Sequence, residues 1–535
     1  MRLFTLLVGG EAGQGVAQTA EVFGKTLTRM GYYVFNYRDY QSLIRGGHNF
    51  NVVTVSDEPV MSHEDAYDVI IAMNEETLKK HGKNLKKGGA VISREEVDVE
   101  RILKDLRAKP IVGNSVFLGA LMRHLGLRTK EMEKIMKEEY KKYARVNIEA
   151  MRRGYESFEE GKKLFPPKSK KKRYFLTGNQ AVGLGAIASG IDVYIAYPMT
   201  PATPVLHFLA QRQLKYKYLV LQLENEIAVV NAALGASYAG AMAMVGTSGG
   251  GFALMSEALS LQGMSEVPLV VYLAQRPAPS TGVPTYTEQG DLKFALNAGH
   301  GEFPRVVVAP GDAEEAFQRT MEAFYLSYKY HVLSILIGDK HLGESHFTHD
   351  EMKPRVRPRR FLVKPGKNYK RYLITKSGVS PRAVPGEGTV RATSYEHDEY
   401  GYTTEEPKEI EKMVEKRLRK WESLRKEVMR MEPVKVYGRG RKLVVSWGST
   451  KGAILDAIRG SNYRFMQICY LSPFPSREVL RELKKAEEVV LVENNATGLL
   501  ADVIREQTGF EIKRKVLKYD ARPFTPGYLR RRLGC

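Results

Sequence analysis

Two carboxylates, Glu224 and Glu226, head the stretch ENEIAVVNAALGASYAGA (224–241), and the residues behind them are almost all small. An acidic side chain at the start of a helix is stabilised by the helix dipole, and Glu224 fits that N-terminal capping role. Glu226 is followed by Ala228, Ala232, Ala233, Gly235 and Ala236. Such a helix either packs closely on a neighbour or leaves room for a flat ring beside the carboxylate. Two further motifs carry groups that bind anions or orient a polar substrate. In YPMTPATP (197–204), Pro198 and Pro201 stiffen the backbone around the Thr200 hydroxyl. In QRPAPSTGVPTYTEQGD (275–291), Arg276 can grip a carboxylate through two N–H groups, and Ser280, Thr281 and Thr285 add hydroxyls. The plainer readings are a solvent-facing Thr in a proline turn and an Arg tied to backbone carbonyls. IRGGHNF (44–50) places Arg45 and His48 around paired glycines, either as a cation offered to an anionic ligand or as a surface turn.

These residues need elements to aim them. Each follows an apolar run that reads as a buried strand: VYIAY (193–197) before Thr200, YLVLQL (218–223) before Glu226, and LVVYLA (269–274) before Arg276. Further strands are expected at AMAMVG (241–246), RVVVA (305–309) and VLSILIG (332–338), with helices between. Strands alternating with helices imply a parallel sheet covered on both faces, with ligands beyond the carboxyl ends of the strands. TSGGGFALMSEAL (247–259) repeats the design of strand, glycine turn and helix, so its backbone can approach a ligand or another chain without side-chain obstruction.

The remaining chain falls into four more pieces. Residues 1–165 open with a strand at Leu3–Val8, the turn GGEAGQGV (9–16), a helix to about Met30 and a strand near Tyr33–Asn36, a βαβ beginning. Strands follow at 51–55, 67–73 and 89–93, then helical periodicity over 113–160. The glycines run G-x-x-G-x-G rather than G-x-G-x-x-G, so the turn is expected to pack helix on strand rather than bind a dinucleotide, with an interface or channel role left open. PPKSKKKR (166–173) is a hydrated basic linker ahead of the 174–350 domain. Residues 351–440 carry 23 Lys and Arg against 13 Asp and Glu, with turn signals and one charged helix over about 407–430. This segment is expected to wrap a neighbouring domain or subunit rather than build its own core. Residues 441–535 return to an α/β pattern, with strands at 442–448, 466–471 and 489–494.

Bulk composition bounds the rest. A chain of 535 residues is too long for one ordinary core. No apolar run approaches the ~20 residues of a membrane span, and LFTLLV is too short for a signal-peptide core, so a cytoplasmic protein is expected. Cys469 and Cys535 are the only cysteines, too few for a Cys₄ iron–sulfur cluster or a disulfide framework. The net charge of +21 suits either an acidic partner or the Lys-rich surface of a thermophile protein. No nucleic-acid-binding motif accompanies it, which argues against DNA or RNA as partner.

Taken together, the motifs resemble the 2-oxoacid:ferredoxin oxidoreductases over nearly the whole chain. GGEAGQGV and IRGGHN are similar to that family's gamma domain. GNQAVGLGA, YPMTPATP, LENEIAVVNAALGASYAGA, TSGGG and QRPAPSTGVPT are similar to its alpha subunit, in order and spacing. SPRAVPG, EHDEYGYTTE and VENNATG extend the match. The resemblance implies an α/β chain: a gamma domain of mixed α/β type, a parallel-sheet domain of the thiamine-diphosphate-binding, pyrimidine-side type, and a C-terminal α/β domain like that of transketolase. It implies coenzyme A-dependent oxidative decarboxylation of a 2-oxoacid, of the 2-oxoglutarate or pyruvate kind, with electrons passed to ferredoxin. Glu226 would hydrogen-bond the aminopyrimidine of thiamine diphosphate, with Tyr197 and Pro198 at the cofactor. Thr200, Arg276 and Thr285 would bind the substrate, and Arg45 would reach a distal acidic group.

The GDG-and-Asn motif for Mg²⁺ and diphosphate does not occur, since Gly290-Asp291, Gly311-Asp312 and Gly338-Asp339 lack the second glycine. Within the resemblance, Mg²⁺ and the [4Fe-4S] cluster belong to a beta subunit, and the chain is inactive without it, in a heterodimer or a dimer of heterodimers. YPMTPAT, TSGGG and QRPAPSTG depart from the more usual YPITPSS, TSGPG and QRGGPSTG, which bears on substrate identity more than on reaction type. The competing readings are an aryl or indole pyruvate oxidoreductase subunit and a non-enzymatic basic scaffold or nucleic-acid-binding protein.

Overall fold

The computed structural model describes residues 1–41 and 46–535. Three sheets organise the described chain. The first follows from the opening βαβ: Leu3–Glu11 and Tyr33–Asp39 run parallel, but His48–Ser56 lies antiparallel between them. Tyr67–Ala72 and Leu85–Ser93 extend it on one side in parallel. On the other side it takes up His346–His349 and Tyr174–Thr177, both from beyond the basic linker. The sheet therefore runs across the 166–173 segment. That segment is mostly exposed, as its charge predicts.

The second sheet carries the site. Its strands Arg305–Val308, Leu333–Asp339, Leu269–Gln275, Ala243–Thr247, Val193–Ala196 and Leu219–Gln222 are all parallel, in that spatial order. Tyr470–Ser472 adds an antiparallel edge. The central strands read as near-continuous apolar runs because helices cover both faces, and Leu269–Gln275 and Leu333–Asp339 are buried throughout. The third sheet orders Val434–Tyr437, Tyr463–Ile468, Lys442–Ser446, Glu488–Glu493 and Arg514–Leu517, antiparallel only at its first strand.

Residues 351–406 contain almost no regular structure, and the helix Pro407–Val428 follows. This segment packs against the ends of the helices Glu226–Tyr238 and Gly249–Ser265. Arg371 Nη2 donates to the carbonyls of Ser265 and Glu266 at 3.0 and 2.8 Å, and Arg382 Nη2 donates to Ser237 at 2.8 Å. Lys416 and Lys420, both buried, pair with the buried carboxylate of Glu266. Two lysines and Arg371 hold Glu266 far below the usual carboxylate range, against the opposing pull of burial. No helix among the described residues is long and apolar enough to cross a membrane.

Candidate active site

The strand Val193–Ala196 lies between Leu219–Gln222 on one side and Ala243–Thr247 on the other. The chain leaves it in one direction and returns on the other. In a parallel sheet the crevice at such a switch point is where ligands bind. Four segments start at this edge: the turn 197–200, the junction 223–226, the turn 248–251 and the loop from Arg276.

Glu226 opens the helix Glu226–Tyr238, and its side chain is only 3% exposed. The cap is Asn225 rather than Glu224. Asn225 sits in extended backbone at φ −159° and accepts the Ala228 N–H at 2.9 Å, whereas Glu224 is exposed. A short amide side chain reaches the third helical N–H better than a glutamate does. The Glu226 carboxylate is thereby released from helix capping. Among the described residues its one side-chain hydrogen bond is a long one from the Thr247 hydroxyl, at 3.5 Å.

The glycines of TSGGG are explained by what they face. A Cβ on Gly251 would lie 2.3 Å from Glu226 Oε1, and one on Gly249 would lie 2.5 Å from Asp291 Oδ2. Nothing lies within 4 Å of a Cβ on Gly250, so the turn is open there. The helix Gly249–Ser265 begins at this point with no side-chain cap, and the buried Ser248 hydroxyl has no hydrogen-bond partner among the described residues. Uncapped N–H groups at a helix start favour an anion.

Arg276 lies at the end of Leu269–Gln275 and is almost fully buried. Its Nη1 donates to the Thr200 carbonyl at 2.8 Å. The backbone-tied reading thus accounts for one N–H of the guanidinium, and no other hydrogen bond from its side chain occurs among the described residues. Burial pulls Arg276 below its usual range, while the Asp291 and Glu226 carboxylates oppose that shift. The turn bearing Thr200 is itself held from below. Asn179 Nδ2 donates to the Pro201 carbonyl at 3.0 Å, and the buried Tyr272 hydroxyl donates to Asn179 Oδ1 at 2.8 Å.

The structure therefore brings together Thr200, Glu226 and Arg276. Tyr197 is exposed at the rim and Pro198 is half-buried beside it. Thr285 is buried in the 276–291 loop, with no hydrogen bond to the other three. Arg45 lies outside the described residues. Asp291 is the residue that sequence reasoning missed, having weighed Gly290-Asp291 only as a metal motif. Its Oδ2 is buried without a hydrogen-bond partner among the described residues. Burial pushes its pKa up to about 6, Glu288 adds to the rise, and Arg276 opposes it. Burial also raises Glu288, which accepts the Ala278 N–H at 3.1 Å. Among the described residues, no group of three or more His, Cys, Asp or Glu side chains is arranged to hold a metal ion.

Comparison with known proteins bears on this arrangement. Residues 5–157 match the family model for pyruvate ferredoxin/flavodoxin oxidoreductase. Residues 184–416 match its thiamine-diphosphate-binding model. The 2-oxoacid:ferredoxin oxidoreductase subunit alpha of a Sulfolobus species is 32% identical, over 98% of this chain and 95% of its own. This chain belongs to the family of 2-oxoacid:ferredoxin oxidoreductase alpha subunits. Another relative is the 2-oxoglutarate oxidoreductase subunit KorA of Mycobacterium tuberculosis, 28% identical over 93% of this chain and 86% of its own. Among solved structures, a 2-oxoglutarate:ferredoxin oxidoreductase from Magnetococcus marinus, with 2-oxoglutarate, coenzyme A and succinyl-CoA bound, superposes with a TM-score of 0.92. It is 29% identical, and the match covers 100% of this chain and 99% of that one. The crevice, with its carboxylate, its guanidinium and its uncapped helix N–H groups, lies within the residues that match the thiamine-diphosphate-binding model.

Proposed function

We propose that this chain is the gamma-fused alpha subunit of a 2-oxoacid:ferredoxin oxidoreductase. With a beta subunit it would convert a 2-oxoacid and coenzyme A to acyl-CoA and CO₂, reducing ferredoxin. The observation that carries this reading is the buried Glu226 carboxylate, freed from helix capping and facing the crevice that Arg276 and Thr200 border. Thiamine diphosphate fits there. Among the described residues the carboxylate accepts only the 3.5 Å hydrogen bond from Thr247, and the turn beside it is open at Gly250. When bound, the cofactor supplies the electron sink for breaking the bond between the oxo carbon and the carboxylate.

This chain's residues supply proton handling and orientation. Glu226 holds a proton-sharing hydrogen bond at the aminopyrimidine end. Arg276 and the Gly249–Ser265 helix start bind the substrate carboxylate, and the Thr200 hydroxyl orients the oxo oxygen. Thr285 and Arg45 are assigned to the substrate, and Tyr197 and Pro198 to the cofactor rim. The iron–sulfur cluster comes with the beta subunit, since two cysteines cannot ligate one, and so does Mg²⁺, whose GDG-and-Asn motif does not occur in this sequence. The rim supports a second polypeptide there: Tyr197, Ile227, Leu254 and Val283 stand 39, 51, 51 and 41% exposed. Apolar side chains grouped around a polar crevice mark an interaction site.

The test is to purify the native complex, identify the second chain, and measure 2-oxoacid-dependent ferredoxin reduction over a panel that includes 2-oxoglutarate, pyruvate and aryl pyruvates. Reduction with coenzyme A consumption is expected for aliphatic 2-oxoacids. A chain that purifies alone, accepts none of them and elutes from DNA with salt is the basic scaffold instead.

A further inference from the structure

The loop from Arg276 to Asp291 carries Arg276, Thr285, Glu288 and Asp291, yet its stretch 278–283 is exposed. Its anchors come from elsewhere in the chain. Gln289, fully buried, has all of its polar groups engaged by residues beyond 441. Its Nε2 donates to the Trp447 carbonyl at 2.8 Å, and its Oε1 accepts the Asn494 N–H at 2.9 Å. Its own N–H donates to the Asn494 carbonyl at 2.8 Å, and its carbonyl accepts Asn495 Nδ2 at 2.9 Å.

A second anchor sits three residues earlier. The Arg522 guanidinium lies 3.5 Å from the centre of the Tyr286 ring. Both residues then meet on the buried Asp39 carboxylate: Arg522 Nε at 3.1 Å and the Tyr286 hydroxyl at 3.2 Å. The Tyr37 hydroxyl completes the group at 2.8 Å. Asn494 joins the two anchors, because its Nδ2 donates to the carbonyls of Lys518 and Arg522 at 2.6 and 3.3 Å.

We infer that the C-terminal domain is a positioning clamp for the substrate-binding loop, with Asn494 and Asn495, which hold Gln289, as one jaw and Arg522, which holds Tyr286, as the other. Thr285 precedes the first anchored residue and Asp291 lies two beyond the second, so releasing either jaw moves groups that border the crevice. The clamp also gives VENNATG a role: Glu493 fixes the segment from which Asn494 and Asn495 reach out. Its carboxylate accepts Trp447 Nε1 at 2.7 Å and the Leu500 N–H at 3.0 Å. Asp39 extends the clamp to the first sheet, as the last residue of the strand Tyr33–Asp39.

This inference rests on the function proposed above, and its test uses the complete complex with its beta subunit. Arg522→Ala alters a side chain that is 42% exposed, and denaturant unfolding of the variant checks that the fold is retained. It should raise KM for the 2-oxoacid about fivefold to tenfold, the scale of a lost cation–aromatic contact, with KM for coenzyme A unchanged. Arg522→Lys should recover most of that loss. Gln289→Ala should lower kcat/KM by about 10²-fold, the scale of a small misplacement of binding groups. Should Gln289→Ala fail to assemble, the Arg522 pair decides alone. If assembled variants keep wild-type KM and kcat, or lose activity only in proportion to folded protein, the clamp is refuted. A wild-type complex inactive on every 2-oxoacid defeats the proposed function and this inference together. An active wild type with indifferent variants defeats the inference alone.

Discussion

Asp291→Asn should make the protein more stable and less active. Asp291 is half-buried, its Oδ2 shut against the Gly249 turn without a hydrogen-bond partner among the described residues, and its folded pKa stands at about 6 against 3.8 for the unfolded chain. A raised acid pKa means that the native state binds more protons than the unfolded state between those values. Stability therefore falls as pH rises through about 4 to 6, stays reduced above it, and is unaffected below it. At 1.36 kcal/mol per pH unit, the full cost of ionisation at pH 8 is about 3 kcal/mol at most, and about 1 to 2 kcal/mol with partial solvent access. Asparagine carries no charge at any of these pH values. The variant should match wild type at pH 3 and exceed it by that margin at pH 8. Denaturant unfolding of both proteins across pH 3 to 9 measures the difference. Activity should fall, because the charge opposing the shift of Arg276 is gone. Parallel stability curves for wild type and variant would refute the burial argument. A stabilised variant with full activity would remove Asp291 from the site while leaving that argument intact.

Glu226→Gln should leave the complex folded and cofactor-bound, yet lower turnover at least ~10²-fold, the scale of general acid–base assistance. Steady-state rates on the purified complex check this, and near-normal turnover removes Glu226 from the chemistry. Arg276→Ala should act mainly on KM for the 2-oxoacid, and an unchanged KM across the panel counts against carboxylate binding. Glu266→Gln leaves Lys416, Lys420 and Arg371 buried without their carboxylate, and unfolding should become easier by about 3 to 5 kcal/mol. That loss should shrink at alkaline pH, because burial already lowers Lys416 to about 7 and its deprotonation relieves the repulsion. A loss that does not change with pH would mean that the lysine charges are not its cause.

What the sequence reveals about the site follows from local geometry. An apolar run of five or six residues marks a strand, and in a parallel sheet the next residues lie at its carboxyl end. Thr200, Glu226 and Arg276 could all be placed on that ground, and Arg276 does meet Thr200. The distinction between Glu224 and Asn225 at the helix cap turns on side-chain length and one φ angle, which composition does not carry. Short strands at His346–His349, Val434–Tyr437 and Arg514–Leu517 escaped notice because HFTH, VKVY and RKVL contain no apolar run, unlike the equally short Val193–Ala196 and Arg305–Val308. Each is completed by partners remote in sequence, such as Asn36 with His346.

Asp291 and Gln289 show where sequence reading stops for a physical reason. An acid or amide in a polar loop is ordinarily solvated, so residue type alone assigns both to the surface. What buries them is contact with chain far away in sequence: the Gly249 turn for Asp291, and Asn494 with Asn495 for Gln289. Both loop motifs, TEQGD and VENNATG, are rich in side chains that satisfy backbone groups, and either alone reads as a turn. Together they satisfy each other, and a loop with an exposed tip becomes fixed at its base. The paired amides of Asn494 and Asn495, following directly on a buried strand, are the one local hint. Side chains with both donors and acceptors at a strand's carboxyl end are suited to holding another segment's backbone.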